Sequence, residues 1–120
     1  MTTFVVDKRA VLLVPSPSAA SAYGLKHPYV IVTSPCDLSN YPAQSVMMVS
    51  LSSIKDGVKF DDTCVLEAGC HAAITKRSAV QYGKWSVNQV SHISGCVSAG
   101  TFIAYPPLSE ALTACITAGI

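Results

Sequence analysis

The first half of the chain alternates between short apolar runs and clusters of turn-forming residues. VLLV at 11–14, YVIVT at 29–33 and SVMMVSL at 45–51 are largely apolar, with many β-branched residues, and are separated by Pro, Ser, Gly and Asn. Runs of this length and composition read as buried strands. Between the first two lies PSPSAASAYGLKHP, whose three prolines mark a long, exposed, mobile loop over residues 15 to 28. After the third run, IKDGVKFDD holds the turn pair Asp56-Gly57 and two adjacent carboxylates, so it belongs on the surface. TCVLE, HAAIT and SAVQY follow as three more short strands, the last two parted by Lys76 and Arg77.

The last third changes period. In WSVNQVSHIS, Ser86 and Gln89 have the spacing of a capping box, and Val87, Val90 and Ile93 recur every third residue, which predicts a short helix; a β reading of the same segment stays open. In the tail PPLSEALTACITAGI, Leu108, Leu112, Cys115 and Ile116 fall on one helical face, with prolines at the entry and Gly119 at the exit. That pattern predicts a C-terminal helix over residues 107 to 118. Strands this short need closure or a helical cover to hide their edges. The expected fold is therefore mainly β (α+β): one domain over residues 1 to 120, a small antiparallel β-barrel with the C-terminal helix packed on it.

Composition narrows the class. Of the 120 residues, 50% are apolar and 12% charged, too hydrophobic for a disordered chain. No apolar run approaches the ~20 residues of a membrane span, and Asp7, Lys8 and Arg9 interrupt the N-terminal segment where a secretory signal would be apolar. A soluble, cytoplasmic protein without membrane attachment is expected. The net charge of +1 announces no nucleic-acid partner and forbids no local contact with one. Five cysteines without regular spacing predict free thiols, with Cys96 and Cys115 packing as small hydrophobes. Cys64, Cys70 and His71 do not have the close Cys-x₂₋₄-Cys spacing of a zinc site, so neither metal nor cofactor is expected.

The order VLLV, a polar loop ending in GLKHPYVIVTSP, then SVMMVSLSS resembles the start of the MazF and PemK toxins of toxin–antitoxin systems. Their pattern is a first strand, a mobile loop, an Arg-Pro pair opening a buried strand, and a third strand ending in Thr-Ser. The resemblance covers roughly residues 10 to 55. The later stretch DTCVLEAGCHAAITKRSAVQY resembles small uncharacterised bacterial and phage proteins placed near those toxins. The resemblance implies an SH3-like barrel of the CcdB, MazF and PemK kind, a homodimer, an antitoxin partner, and metal-independent cleavage of single-stranded RNA by attack of the ribose 2′-hydroxyl on the neighbouring phosphate. Two positions depart from the pattern: His27 stands where the toxins have arginine, and Leu51, Ser52 and Ser53 stand where they have threonine.

Such cleavage needs a base at the 2′-oxygen, an acid at the leaving 5′-oxygen and donors for the phosphoryl oxygens. His27 and His71 are the candidate acid and base, with the hydroxyls of Ser52 and Ser53 beside them. Lys26, Lys76 and Arg77 are the candidate phosphate contacts, and the loop residues Tyr23 and Tyr41 the candidate stacking faces for bases. Tyr29 and Tyr82 are expected to pack. Each assignment has a plainer alternative. Pro28 can simply open a strand while Lys26 and His27 face water, His71 can sit at a loop edge bonded to backbone, Lys76-Arg77 can be a solvated turn, and His92 can be a surface helix residue. Adjacent Cys70 and His71 would point to opposite faces of a strand, which argues against a thiol nucleophile paired with that base. The ribonuclease reading requires the rings of His27 and His71 to share one exposed groove. The competing class is a non-catalytic barrel that binds a peptide or protein and has lost the toxin site.

Overall fold

A computed structural model describes residues 5–15, 26–37, 44–57, 59 and 62–119. Its elements are β1 (Val11–Pro15), β2 (Lys26–Ile31), β3 (Ser45–Ser53), β4 (Val65–Leu66), β5 (Ser78–Gln89), α1 (Val90–Ser98), β6 (Ile103–Tyr105) and α2 (Glu110–Thr117). The strands form one antiparallel six-stranded sheet in the order β4-β5-β3-β2-β1-β6. No helix among the described residues is long and apolar enough to cross a membrane.

The apolar runs lack polar alternation because the sheet is covered on both faces. Val11, Val30, Val32, Val49, Leu51 and Val80 point to one side, where Leu108 and Ile116 pack on them. Leu12, Ile31, Val46 and Met48 point to the other, against Ile93 of α1. The side chains thus alternate along β1, β2 and β3, as a pleat demands, yet both sets are buried. Burying one such side chain stabilises by roughly 1.5–3 kcal/mol.

The sequence expectation of a closed barrel is not met: β4 and β6 end the sheet on opposite sides. The helices cover its faces instead. HAAIT is not a strand either. Ile74 N–H bonds the His71 carbonyl at 2.9 Å and Gly69 N–H bonds the Ile74 carbonyl at 2.8 Å, a turn entered through Gly69 at φ 84°. The capping box at Ser86 and Gln89 does not form, because the segment continues β5, with Ser86 opposite Met48 and Gln89 opposite Ser45. Long-range pairing outweighs the local signal, and α1 starts at Val90 without a side-chain cap. Ser50 lies opposite Gln81 and the adjacent Val49 opposite Trp85, so the register against β3 shifts and β5 is irregular over 82 to 84.

The C-terminal helix forms but is shorter than the expected 107 to 118, running Glu110–Thr117 with Leu108 ahead of it. Ser109 caps it, accepting from Leu112 N–H at 3.2 Å. Cys115 does not pack as a hydrophobe; it is exposed and joined to the buried Cys64 by a disulfide, so the expectation of five free thiols fails. Cys36, Cys70 and Cys96 are free. Thr113 is buried beside Ile116 instead, donating to the Ser109 carbonyl at 2.8 Å. The entry to α2 is tied to the sheet by Arg9. Its N–H bonds the Ile31 carbonyl at 2.8 Å, its carbonyl accepts from Leu108 N–H at 2.8 Å, and its Nε donates to the Leu108 carbonyl at 2.7 Å. Arg9 takes a left-handed φ of 79° to do so.

Candidate functional site

One end of the sheet gathers most of the polar residues singled out in the sequence. There β2 begins with Lys26 and His27, β3 finishes with Ser52 and Ser53, and β5 begins just after Lys76 and Arg77. Pairing fixes the rim: Val14 opposite His27, Ser52 opposite Ala79, Ser53 opposite Ser78, and Ile54 N–H bonded to the Arg77 carbonyl at 2.9 Å.

Alternation decides which of these side chains share a face. Tyr29 and Ile31 lie in the α1-side cluster, so His27, two and four residues earlier, points to that side. Ser52 follows Met48 by four residues on β3 and points the same way. The β2–β3 pairing ends with Tyr29 opposite Ser50. His27 and Ser52 lie just beyond it, each two residues outward on the same face of its strand. One step inward lies the row Tyr29, Ser50 and Gln81. Ser50 is buried, Tyr29, Gln81 and Ser52 are half-buried, and His27 is exposed. The result is a polar patch that descends from water into the α1-side core.

His71 is elsewhere. Its ring lies 6.2 Å from that of Tyr105, and Tyr105 packs against the α2-side cluster. Nδ1 accepts from Ala73 N–H at 3.0 Å, which leaves the ring proton on Nε2 to donate to the Pro106 carbonyl at 2.6 Å. Both nitrogens therefore hold backbone, and the ring pins the 67–77 strap to the segment leading into α2. The groove shared by His27 and His71 that the sequence reading required is not formed, because the two rings stand on opposite faces of the sheet.

The other expected contacts divide similarly. Arg77 spends its Nε on Glu67 Oε1 at 3.1 Å, an exposed pair of the kind that contributes about 0–1 kcal/mol. Lys76 is exposed. Ser53 points away from Ser52, as neighbours on a strand must. Tyr23, Tyr41 and most of the 15 to 28 loop lie outside the described residues, and Lys26 is placed only as the first residue of β2. Partial desolvation raises the Cys70 thiol above its ordinary pKa, against a lowering backbone hydrogen bond and with a further upward push from the Glu67 carboxylate. His92 is exposed on α1, edge-on to Phe102. Among the described residues no three His, Cys, Asp or Glu side chains are grouped as metal ligands.

Sequence reasoning missed Ser50, Gln81 and Arg9. Ser50 and Gln81 carried a signal, being polar side chains inside apolar strand segments; Arg9 carried none, since its role depends on a helix that begins a hundred residues later. No protein-family model, curated protein or solved structure matches the chain.

Proposed function

We propose that the rim formed by His27 and Ser52 binds single-stranded RNA and cleaves it, in a small sheet protein that is an open variant of the MazF and PemK barrel. The observation that supports this reading is the placement on one face of adjacent strands of His27, which stands where the resembling toxins carry arginine, and Ser52, which lies in the stretch Leu51, Ser52 and Ser53 that stands where they carry threonine. Ser53, Lys76 and Arg77 lie at the same end of the sheet.

In this reading His27 takes the proton of the 2′-hydroxyl as the bond from O2′ to phosphorus forms. The bond from phosphorus to O5′ breaks, and the leaving oxygen takes its proton from water. The Ser52 hydroxyl donates to a phosphoryl oxygen, and Lys76 attracts the backbone phosphates. His71 takes no part, since its nitrogens are committed to backbone. An antitoxin partner covers the rim, and the setting is the cytoplasm.

The test is incubation of wild type and His27→Ala with a labelled RNA oligonucleotide. Wild type yields fragments ending in a 2′,3′-cyclic phosphate, and His27→Ala does not. Ser52→Ala binds the oligonucleotide but cleaves it about 10²-fold more slowly, the usual weight of one donor to a developing charge. Intact RNA in the presence of fully folded wild type discards the cleavage reading. A second reading is favoured by the separation of the two histidines, which leaves the rim without an imidazole pair: a binding module that holds an extended peptide along the Tyr29, Ser50 and Gln81 row. Protein or peptide binding lost on Gln81→Ala, with no cleavage by wild type, marks that case.

A further inference from the structure

Helix α1 carries two metal-binding side chains that the RNA reading does not use. His92 and Cys96 are four residues apart on it, so they stand on one face, one turn above the other. Nε2 of the imidazole lies 3.7 Å from Sγ of the thiol. His92 is exposed and Cys96 half-buried, so the thiol does not simply pack as a small hydrophobe. The pair is held in place from beyond the helix. The Phe102 ring, packed on the α1-side cluster, meets the imidazole edge-on at 6.0 Å, and the Cys96 carbonyl accepts from Thr101 N–H at 2.9 Å and Phe102 N–H at 3.1 Å.

That separation is the span of a chelate. With a Zn–S bond of about 2.3 Å, a Zn–N bond of about 2.0–2.1 Å and a tetrahedral angle of roughly 109°, sulfur and nitrogen bound to one zinc ion stand about 3.6 Å apart. A hydrogen bond from a thiol, the other use of the same contact, is weak. The surroundings admit an ion. Gly95 and Ala99 share the face with the pair and are exposed, and nothing lies within 4 Å of where a side chain on Gly95 would begin. No lysine or arginine follows Lys84 in the chain, so α1 itself carries no cation to repel a metal. Cys96 stands in the last turn of α1, where the helix dipole favours positive charge.

We infer that His92 and Cys96 chelate a zinc ion, with water in its two remaining positions. His92 gives the Nε2 lone pair and keeps its proton on Nδ1. The Cys96 thiol releases its proton to solvent and binds as thiolate, so one proton leaves per ion bound and affinity falls as pH drops. Sulfur and imidazole together select zinc over the hard cations magnesium and calcium. The chelate ties one turn of α1 to the next, in a helix with Ile93 as its buried residue and no side-chain cap, so the folded protein gains stability as zinc rises. The site is independent of the RNA reading, since it uses neither His27 nor Ser52.

Titration with cobalt(II), a spectroscopic substitute for zinc, tests it on the full chain with the Cys64–Cys115 disulfide closed and no added thiol. Wild type gives a thiolate-to-cobalt charge-transfer band that saturates at one ion per chain, is removed by excess zinc and is untouched by magnesium. Cys96→Ser lacks the band, and His92→Ala binds about 10²-fold more weakly, the usual effect of losing a second tethered contact. Cys36→Ser and Cys70→Ser behave as wild type. Wild type without the band overturns the inference, as does a band that survives Cys96→Ser or an affinity unchanged in His92→Ala. Thiol protection in wild type gives a reading independent of any variant. Zinc at about ten times its Kd slows alkylation of Cys96 by iodoacetamide about tenfold, because only about one site in ten is then empty, while Cys36 and Cys70 react at unchanged rates in the same peptide map. Slowing that does not single out Cys96 overturns the chelate.

Discussion

The two faces of the sheet are held in different ways. On the α2 face, the cover is fastened at separate points: the Cys64–Cys115 disulfide, the Tyr82 hydroxyl donating to the Ile116 carbonyl at 2.7 Å, Arg9 on Leu108, and His71 bridging Ala73 and Pro106. On the α1 face, the helix has Ile93 as its buried residue, no side-chain cap, and no charged residue against its dipole at either end. The fastened face spends its polar groups on structure. Among the described residues, the lightly held one gives His27, Ser52 and Gln81 no such side-chain bond, and that contrast is why the candidate chemistry is placed there. Polar side chains serve a ligand only where the fold has not already claimed them.

The largest effect should come from removing the covalent tie. Closing a span of 51 residues restricts the unfolded chain by about 4 kcal/mol in the chain-entropy picture. Urea unfolding with and without dithiothreitol, and of Cys115→Ser, should show a loss of that order, with RNA cleavage unchanged while the protein stays folded. Next is Ile93→Ala, which empties the centre of the α1-side cluster and should cost about 2–5 kcal/mol. It should also reduce cleavage at temperatures where the sheet is still native, since Tyr29 packs in that cluster. Equal sensitivity of activity to both changes would remove the distinction between the faces.

How far the sequence foretold this contrast differs by element. The strands at 11, 29 and 45 were legible because burial on both faces leaves an unbroken apolar run, and α2 because a single buried stripe meets a serine cap. Residues 85 to 89 misled, since Val87 and Val90 have helical spacing and only the pairing with Met47 and Ser45 keeps the segment extended. Cys64 and Cys115 gave no sign of each other because their approach is set by the packing of α2. At the rim, His27 and Ser52 were legible as polar residues at the ends of apolar runs, but the place of His71 was not. A turn of small residues, HAAIT, has the composition of a strand, and the carbonyl that fixes the ring belongs to Pro106, thirty-five residues away.

The two histidines give the cleanest comparison of structure with chemistry. His71→Ala strips partners from Ala73 N–H and the Pro106 carbonyl and should destabilise by about 1–3 kcal/mol, while leaving the rate of cleavage per folded molecule intact. His27→Ala should change stability by less than about 0.5 kcal/mol, as surface substitutions do, and abolish cleavage. Measured together by thermal unfolding and by RNA fragmentation, the pair must show opposite signatures. A His71→Ala protein that is stable but inactive would return that ring to the site.

The smallest expected effect concerns the strap that His71 pins. Desolvation and the nearby Glu67 carboxylate hold the Cys70 thiol above its ordinary pKa, so at mildly alkaline pH less of it is thiolate and its alkylation is slow. The sign follows directly. Glu67→Gln removes one upward push and frees Arg77 from its ion pair, both of which favour the thiolate. Alkylation of Cys70 by iodoacetamide, followed by peptide mapping, should then quicken by roughly twofold, the size expected for one exposed charge, and the excess over wild type should shrink in high salt. Because the strap lies on the fastened face, RNA cleavage should not change with either the substitution or the alkylation. If alkylating Cys70 did stop cleavage, the strap would have to reach the reacting phosphate, and the assignment of chemistry to the α1 face alone would fail.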